Sequence, residues 1–268
     1  MKKAFYLLPM IGGAIAMMMS VSSCSDKMDE DLLSQNQSSA AQVPEAVAAK
    51  LDGLGFSTED LRMQGQNYLL QGDMVLTPEA LTEMGEPFTV SGPSGEQYRT
   101  YNLANCGGGR VITIRSYVSG SIDTGLDYAI ANYNALNTCL YFQRVYSGTA
   151  DISIYPASGA TVSSGFPSGG NPYPSIYLGN TLSYYGINVI EHLITHEIGH
   201  CLGMIHTDYF NPSLSCGTSS GTTTIGVVHI PGTPTGADPL SIFNSCVRSG
   251  TNGEFSNFDR VALEYLYK

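Results

Sequence analysis

The chain has 268 residues, room for one good-sized domain with appendages, and its 43% hydrophobic content with 30 glycines and 17 tyrosines suits a loop-rich globular protein. Twelve Lys and Arg stand against 23 Asp and Glu, a formal net charge of −11, and nowhere do the basic residues cluster enough to hold a phosphate backbone. Nucleic acid is therefore excluded as an expected partner, and no internal repeat or long low-complexity tract is visible.

At the N-terminus, Lys2 and Lys3 precede an apolar run from Ala4 to Met19, broken by Pro9 and Gly12-Gly13, and then VSSC at 21 to 24. That is the order of an export signal. The sixteen residues of the run would span about 24 Å as a helix, short of the roughly 30 Å hydrocarbon core, which disfavours a permanent anchor. VSSC resembles a bacterial lipobox, which implies a signal peptide over 1–23 and a lipid on Cys24 as the first mature residue. The expectation is an exported outer-membrane lipoprotein, facing the cell surface or the periplasm. The following SDKMDED resembles an acidic surface-sorting signal, and reads equally well as a solvated tether; residues 24–48 are polar and flexible in either case.

Structure begins near Leu51. NYLLQGDMVLTPEAL reads as a strand followed by a helix opening at Thr77-Pro78, and VITIRSYV, alternating and β-branched, as a strand. IDTGLDYAIANYNAL spaces Ile122, Leu126, Ala129, Ile130, Tyr133 and Leu136 as one helix face. LYFQRVY and DISIYPA are further strands. After the turn-rich FPSGGNPYP, Ser175, Ile176, Tyr177, Leu178 and Gly179 are expected as an edge strand able to pair with an extended peptide. NVIEHLITHEIGHCLGM is a helix, and Ser256 with Asp259 three residues on caps a terminal helix through Leu266. Strands interleaved with helices predict an α+β fold, a mixed twisted sheet backed by helices.

Residues 194–206, ITHEIGHCLGMIH, place three of the five histidines in thirteen positions. Helical residues four apart share a face, so His196 and His200 can grip one ion, while Glu197 borders that face without coordinating. Gly203 stands where a left-handed residue ends the helix and turns the chain back, returning His206 as a third ligand. Three protein ligands with one open position suit a catalytic Zn2+ site, whereas structural sites are closed by four. The string fills every fixed place of H-E-x-x-H-x-x-G-x-x-H. His192 is read as a residue that packs or supports a ligand from behind, because a helix offers only two adjacent turns to one ion, and His229 as a loop histidine. Asp208 is expected to fix the turn or support a ligand. Tyr209 is read as a packed tyrosine, with assistance to an oxyanion as the alternative.

With Cys24 assigned to lipid, five cysteines remain in a compartment where disulfides persist, so at least one is left over. Cys216 with Cys246 is the favoured pair. Pairing of either with Cys201, or of Cys106 with Cys139, stays open.

HEIGHCLGMIHTD, GFPSGGNPY, HIPGTPTGADPLS and FSNFDRVALEYLY together resemble the metzincin zinc endopeptidases and, more narrowly, the dual-action HEIGH metallo-peptidases. The resemblance implies a zincin-like catalytic domain over 106–268 that hydrolyses peptide bonds in a peptide or protein substrate, with Glu197 as general base and then acid. A monomer is the expected assembly. One departure stands out: the turn DPLSIFNSC carries Phe243 where metzincins carry a methionine, and no methionine follows Met204. If nothing compensates, overpacking there costs about 1–3 kcal/mol. Residues 49–105 are expected to be a prosegment, because Leu70, Gln71, Gly72 and Asp73 resemble the F-x-G-D motif with which astacin prosegments occupy the zinc's open position. Cys106 is the rival for that role, cleavage near Arg110 would remove either, and a plain turn at Gly72-Asp73 is the third reading. A reading from another class, a surface binding module that keeps zinc only for structure, draws on Phe243 and is opposed by Glu197.

Overall fold

The structure, a computed structural model, describes residues 42–85, 97–217, 227–233 and 238–268. The signal segment, Cys24 and most of the tether lie outside them. Helix α1 (Glu45–Gly53) starts inside the expected tether and leads to three strands, β1 (Arg62–Gln64), β2 (Asn67–Leu70) and β3 (Met74–Leu76), each antiparallel to the next. The single strand expected from NYLLQGDMVL is thus two, because Gln71 at φ 50° and Gly72 at φ 86° reverse the chain between them. Helix α2 (Pro78–Glu83) opens as expected, with the Thr77 side chain accepting the Ala80 N–H at 3.0 Å.

Next come β4 (Tyr98–Arg99), β5 (Arg110–Ser116), α3 (Ser121–Asn134), β6 (Leu140–Arg144), β7 (Ile152–Ala157), β8 (Val162–Gly165) and β9 (Ser175–Gly179). The chain closes with α4 (Ile187–Leu202), β10 (Met204–Ile205), α5 (Ser213–Cys216), β11 (Val228–His229) and α6 (Asn257–Leu266). The main sheet has the order β1-β2-β3-β8-β9-β7-β5-β6. Strands β6, β5, β7 and β9 are parallel and β8 is antiparallel to β9, which gives the mixed sheet expected. Helices α3 and α4 bury Ile122, Leu126 and Ala129 with Ile190, Ile194 and Ile198 in a core shared with Ile112, Ile154 and Ile176 of the sheet. No described helix is long and apolar enough to cross a membrane.

The expected edge strand needs correction. Ser175, Ile176, Tyr177, Leu178 and Gly179 form β9, which is paired on one side with β7 and on the other with β8, so its backbone has no free edge. Beyond β9 lies the antiparallel β8, whose far side is the next edge and which is hidden in the sequence because SSG at 163–165 offers serines and a glycine where a strand pattern needs β-branched residues. That edge is taken by β3: Met74 lies opposite Ser164 and Val75 opposite Gly165, with the two strands parallel.

Strand β4, expected in the prosegment, is instead woven around the end of α4. It is the middle strand of a second sheet, β10-β4-β11, and the Thr100 and Ala104 N–H groups donate to the carbonyls of Gly203 (2.8 Å) and Leu202 (3.2 Å). Ahead of it, Gln97 Nε2 donates to the Asp259 carboxylate at 2.8 Å. Asp259 and Ser256 form the expected capping box at the start of α6.

Disulfides join Cys216 to Cys246 and Cys106 to Cys139, with Cα separations of 5.2 and 5.8 Å, and leave Cys201 as a buried thiol. The favoured pair is present. Cys106 as a metal-blocking thiolate is overturned, because its sulfur is committed to Cys139.

Candidate metal centre

Helix α4 ends at Gly203, whose φ of 117° is open to glycine and whose N–H closes the helix on the Gly199 and His200 carbonyls at 3.0 and 2.9 Å. A side chain there would also meet Leu103 and the Asn102 carbonyl within 2.8 Å. The turn sends the chain back through β10 and delivers His206 beside His196 and His200. One ligand atom from each of these three, and one from Asp73, lie within 4.8 Å of one another. His206 Nε2 is 3.1 Å from His196 Nε2 and 3.2 Å from His200 Nε2, while Asp73 Oδ2 stands 3.2 Å from His206 Nε2 and 3.5 Å from His196 Nε2.

The outward nitrogen of each ring already has an acceptor. His196 Nδ1 donates to the Ile242 carbonyl at 2.7 Å, His200 Nδ1 to the Met204 carbonyl at 2.8 Å and His206 Nδ1 to Gln71 Oε1 at 3.0 Å. A carbonyl oxygen can only accept, so the proton of each neutral ring sits on Nδ1 and the Nε2 lone pair faces inward. Three such lone pairs and a carboxylate repel one another, and a cation among them is what the donor set fits.

The electrostatics agree. Burial works to raise the Asp73 carboxyl, but His206 and His196 beside it hold it well below the usual carboxylate range. For His196 burial works downward and is outweighed by the hydrogen bond and charge of Asp73, which push it up to about 9. Burial and the two neighbouring rings push His200 well down.

Glu197 is buried beside this cluster, and its Oε2 has no hydrogen-bond partner among the described residues. Burial and then the charge of Asp73 push its carboxyl up to about 8. His192 stays out of the cluster, with Nδ1 2.9 Å from Thr251 Oγ1, and burial pushes it down to about 3. His229 lies in β11, with Nε2 3.1 Å from Thr233 Oγ1. Asp208 ties the segment after His206 to the turn that follows Phe243, accepting the Ser245 N–H and hydroxyl at 2.8 and 2.7 Å and the Ser215 hydroxyl. Tyr209 is packed between Phe56 and Tyr98, its ring centroid 5.5 and 4.8 Å from theirs.

Phe243 is fully buried, its ring centroid 6.2 Å from that of His196, and its carbonyl accepts the Thr207 N–H at 2.7 Å. Room for the ring comes from Gly199: a Cβ there would lie 2.1 Å from Phe243 Cε1. A glycine inside a helix costs about 1 kcal/mol relative to alanine, and here it accommodates the aromatic floor. Two participants were missed from sequence. Gly199 had a signal, being an unexplained glycine mid-helix; Gln71 had none beyond its nearness to Asp73.

A buried three-histidine cluster at the turn that ends a helix, in a mixed α+β fold, is the architecture of a metallopeptidase. The profile of the dual-action HEIGH metallo-peptidase family matches residues 68–267, and the chain belongs to that family; it is a zinc metallopeptidase. The match begins within β2 and takes in Gln71 and Asp73. Similar solved structures include two of myroilysin, one at 18% identity and a TM-score of 0.43 that covers 62% of this chain and 97% of that one. The other has 19% identity and a TM-score of 0.41, covering 59% and 82%. No curated protein matches the chain.

The Gly199–Phe243 contact yields a double-mutant test. Gly199→Ala should destabilise the chain by about 2 kcal/mol in urea unfolding, and Phe243→Met, with its thinner and more pliable side chain, should remove at least half of that penalty. Equal penalties in the two backgrounds would mean that the ring and the glycine are not coupled.

Proposed function

We propose that the chain is an exported, lipid-anchored endopeptidase made in a latent form, with its metal held by His196, His200 and His206 and its protons moved by Glu197. One observation carries the reading: a single N-terminal turn puts Asp73 into the histidine cluster while β3, the strand that follows it, covers the β8 edge. Zinc, when bound, lowers the pKa of water towards about 7 and polarises a carbonyl. Glu197 has a buried oxygen with no hydrogen-bond partner among the described residues, which would serve as the base for a water beside the cluster and then as the acid for the leaving amine. Removing Asp73 takes away the second cause of Glu197's raised value and so favours the carboxylate that a base must be. With β3 gone, the backbone of β8 is free to pair with an extended peptide.

The inhibitory segment in this reading runs from about residue 49 to 85, and the catalytic domain begins by Gln97 rather than at residue 106, since Gln97, Tyr98 and Thr100 hold its core together. The order of charge, apolar run and VSSC supports export on a 1–23 signal and attachment through Cys24.

Peptide hydrolysis should be at least tenfold lower in the intact chain than in a chain freed of residues up to 85. Glu197→Gln should lower the freed chain's rate at least 100-fold while zinc content stays the same. A fully active intact chain would remove latency, and an undiminished Glu197→Gln would remove the base. Cys24→Ser should move the protein from the membrane to the soluble fraction in cells; retention in the membrane would remove the lipid anchor.

A further inference from the structure

We infer that the N-terminal segment completes the metal centre as well as covering it: Gln71 is a positioning residue for His206, and with it in place the chain holds its ion more tightly. The inference rests on the three-histidine reading given above. Its ground is an asymmetry among the three rings. His196 and His200 are oriented by the Ile242 and Met204 carbonyls, both parts of the catalytic core. For His206 Nδ1 the only acceptor among the described residues is Gln71 Oε1, which the N-terminal segment brings across 135 positions of sequence.

The amide of Gln71 can sit only one way round. Its Nε2 donates to the Tyr209 carbonyl at 2.8 Å, so the NH2 group must face Tyr209 and the oxygen must face His206. That oxygen fixes the His206 tautomer with the proton on Nδ1 and the lone pair of Nε2 directed at the cluster. Two residues on, Asp73 Oδ2 reaches the same ring from the other side, 3.2 Å from Nε2. One turn of the N-terminal segment therefore faces both nitrogens of the third ligand, holding Nδ1 by a hydrogen bond and setting a carboxylate on the metal side beside Nε2.

The turn is held firmly enough to do this. Gln71 has φ 50°, a left-handed conformation that a non-glycine residue keeps only where its surroundings impose it. Its N–H donates to Asp60 Oδ1 at 3.0 Å, and Leu70 and Met74 on either side are fully buried. When the segment leaves, His206 loses this acceptor while His196 and His200 keep theirs. The intact chain is then the form in which the metal is captured, and the processed form is the one that yields it more readily to a chelator.

The test measures zinc affinity by competition with a chelating dye in the intact chain, for the wild type, Gln71→Leu, Gln71→Glu and His200→Ala. Gln71→Leu keeps the approximate shape and removes the acceptor, and should weaken zinc binding about ten- to 100-fold. Gln71→Glu keeps an acceptor facing Nδ1 while losing the donor to the Tyr209 carbonyl, and should hold zinc at least threefold more tightly than Gln71→Leu, a partial rescue that a merely structural role for Gln71 would not show. Affinity in Gln71→Leu within twofold of wild type, or a fall in Gln71→Glu as large as in Gln71→Leu, would overturn the inference. His200→Ala should lose zinc in the same assay; retention there would remove the three-histidine reading and this inference with it.

Discussion

Four donor atoms that repel one another are held face to face in a buried pocket, and the rest of the structure follows from what it takes to keep them there. Each ring is fixed from behind by a hydrogen bond, and each of those acceptors is fixed in turn. The Ile242 carbonyl is steadied through its own N–H, which donates to Asp259 at 2.9 Å, and that carboxylate also accepts from Gln97, Ser241 and Ser256. The Met204 carbonyl follows directly on the Gly203 turn, and Gln71 stands on the turn between β2 and β3. The turn tied to the terminal helix through Asp259, the strand that follows the active-site helix and the turn between β2 and β3 each supply one acceptor, so the centre depends on all three packing correctly.

The histidine cluster was legible in the sequence because it is local. His196, Glu197 and His200 share one helix, Gly203 turns it, and His206 lies six residues past His200, so helical periodicity and one glycine suffice to place the ligands. The terminal capping box and the Cys216–Cys246 pair were local or nearly local signals as well. Pairing across the sheet was not legible. Which strand forms the edge depends on topology, and β9, rich in buried apolar residues, was mistaken for the edge while the polar, glycine-bearing β8 went unread. The role of Gln71 lies further out of reach, since it requires knowing that residues 71 and 206 meet.

Phe243 shows how a departure from a family pattern is absorbed. An aromatic ring in place of a thioether demands space, and Gly199 on the active-site helix leaves that space directly against the ring. The packing thus accommodates the substitution, and Glu197 stays buried beside the histidines with an oxygen that has no hydrogen-bond partner among the described residues.

The central claim is that the intact chain closes a three-histidine zinc site with a carboxylate from its own N-terminal segment. A crystal structure of the zinc-loaded intact chain, with the metal located at its absorption edge, tests this most directly. The account predicts one zinc about 2.0–2.2 Å from Nε2 of His196, His200 and His206 and from a carboxylate oxygen of Asp73. A zinc bound elsewhere, or bound by the three histidines with Asp73 turned away and water in its place, would contradict it.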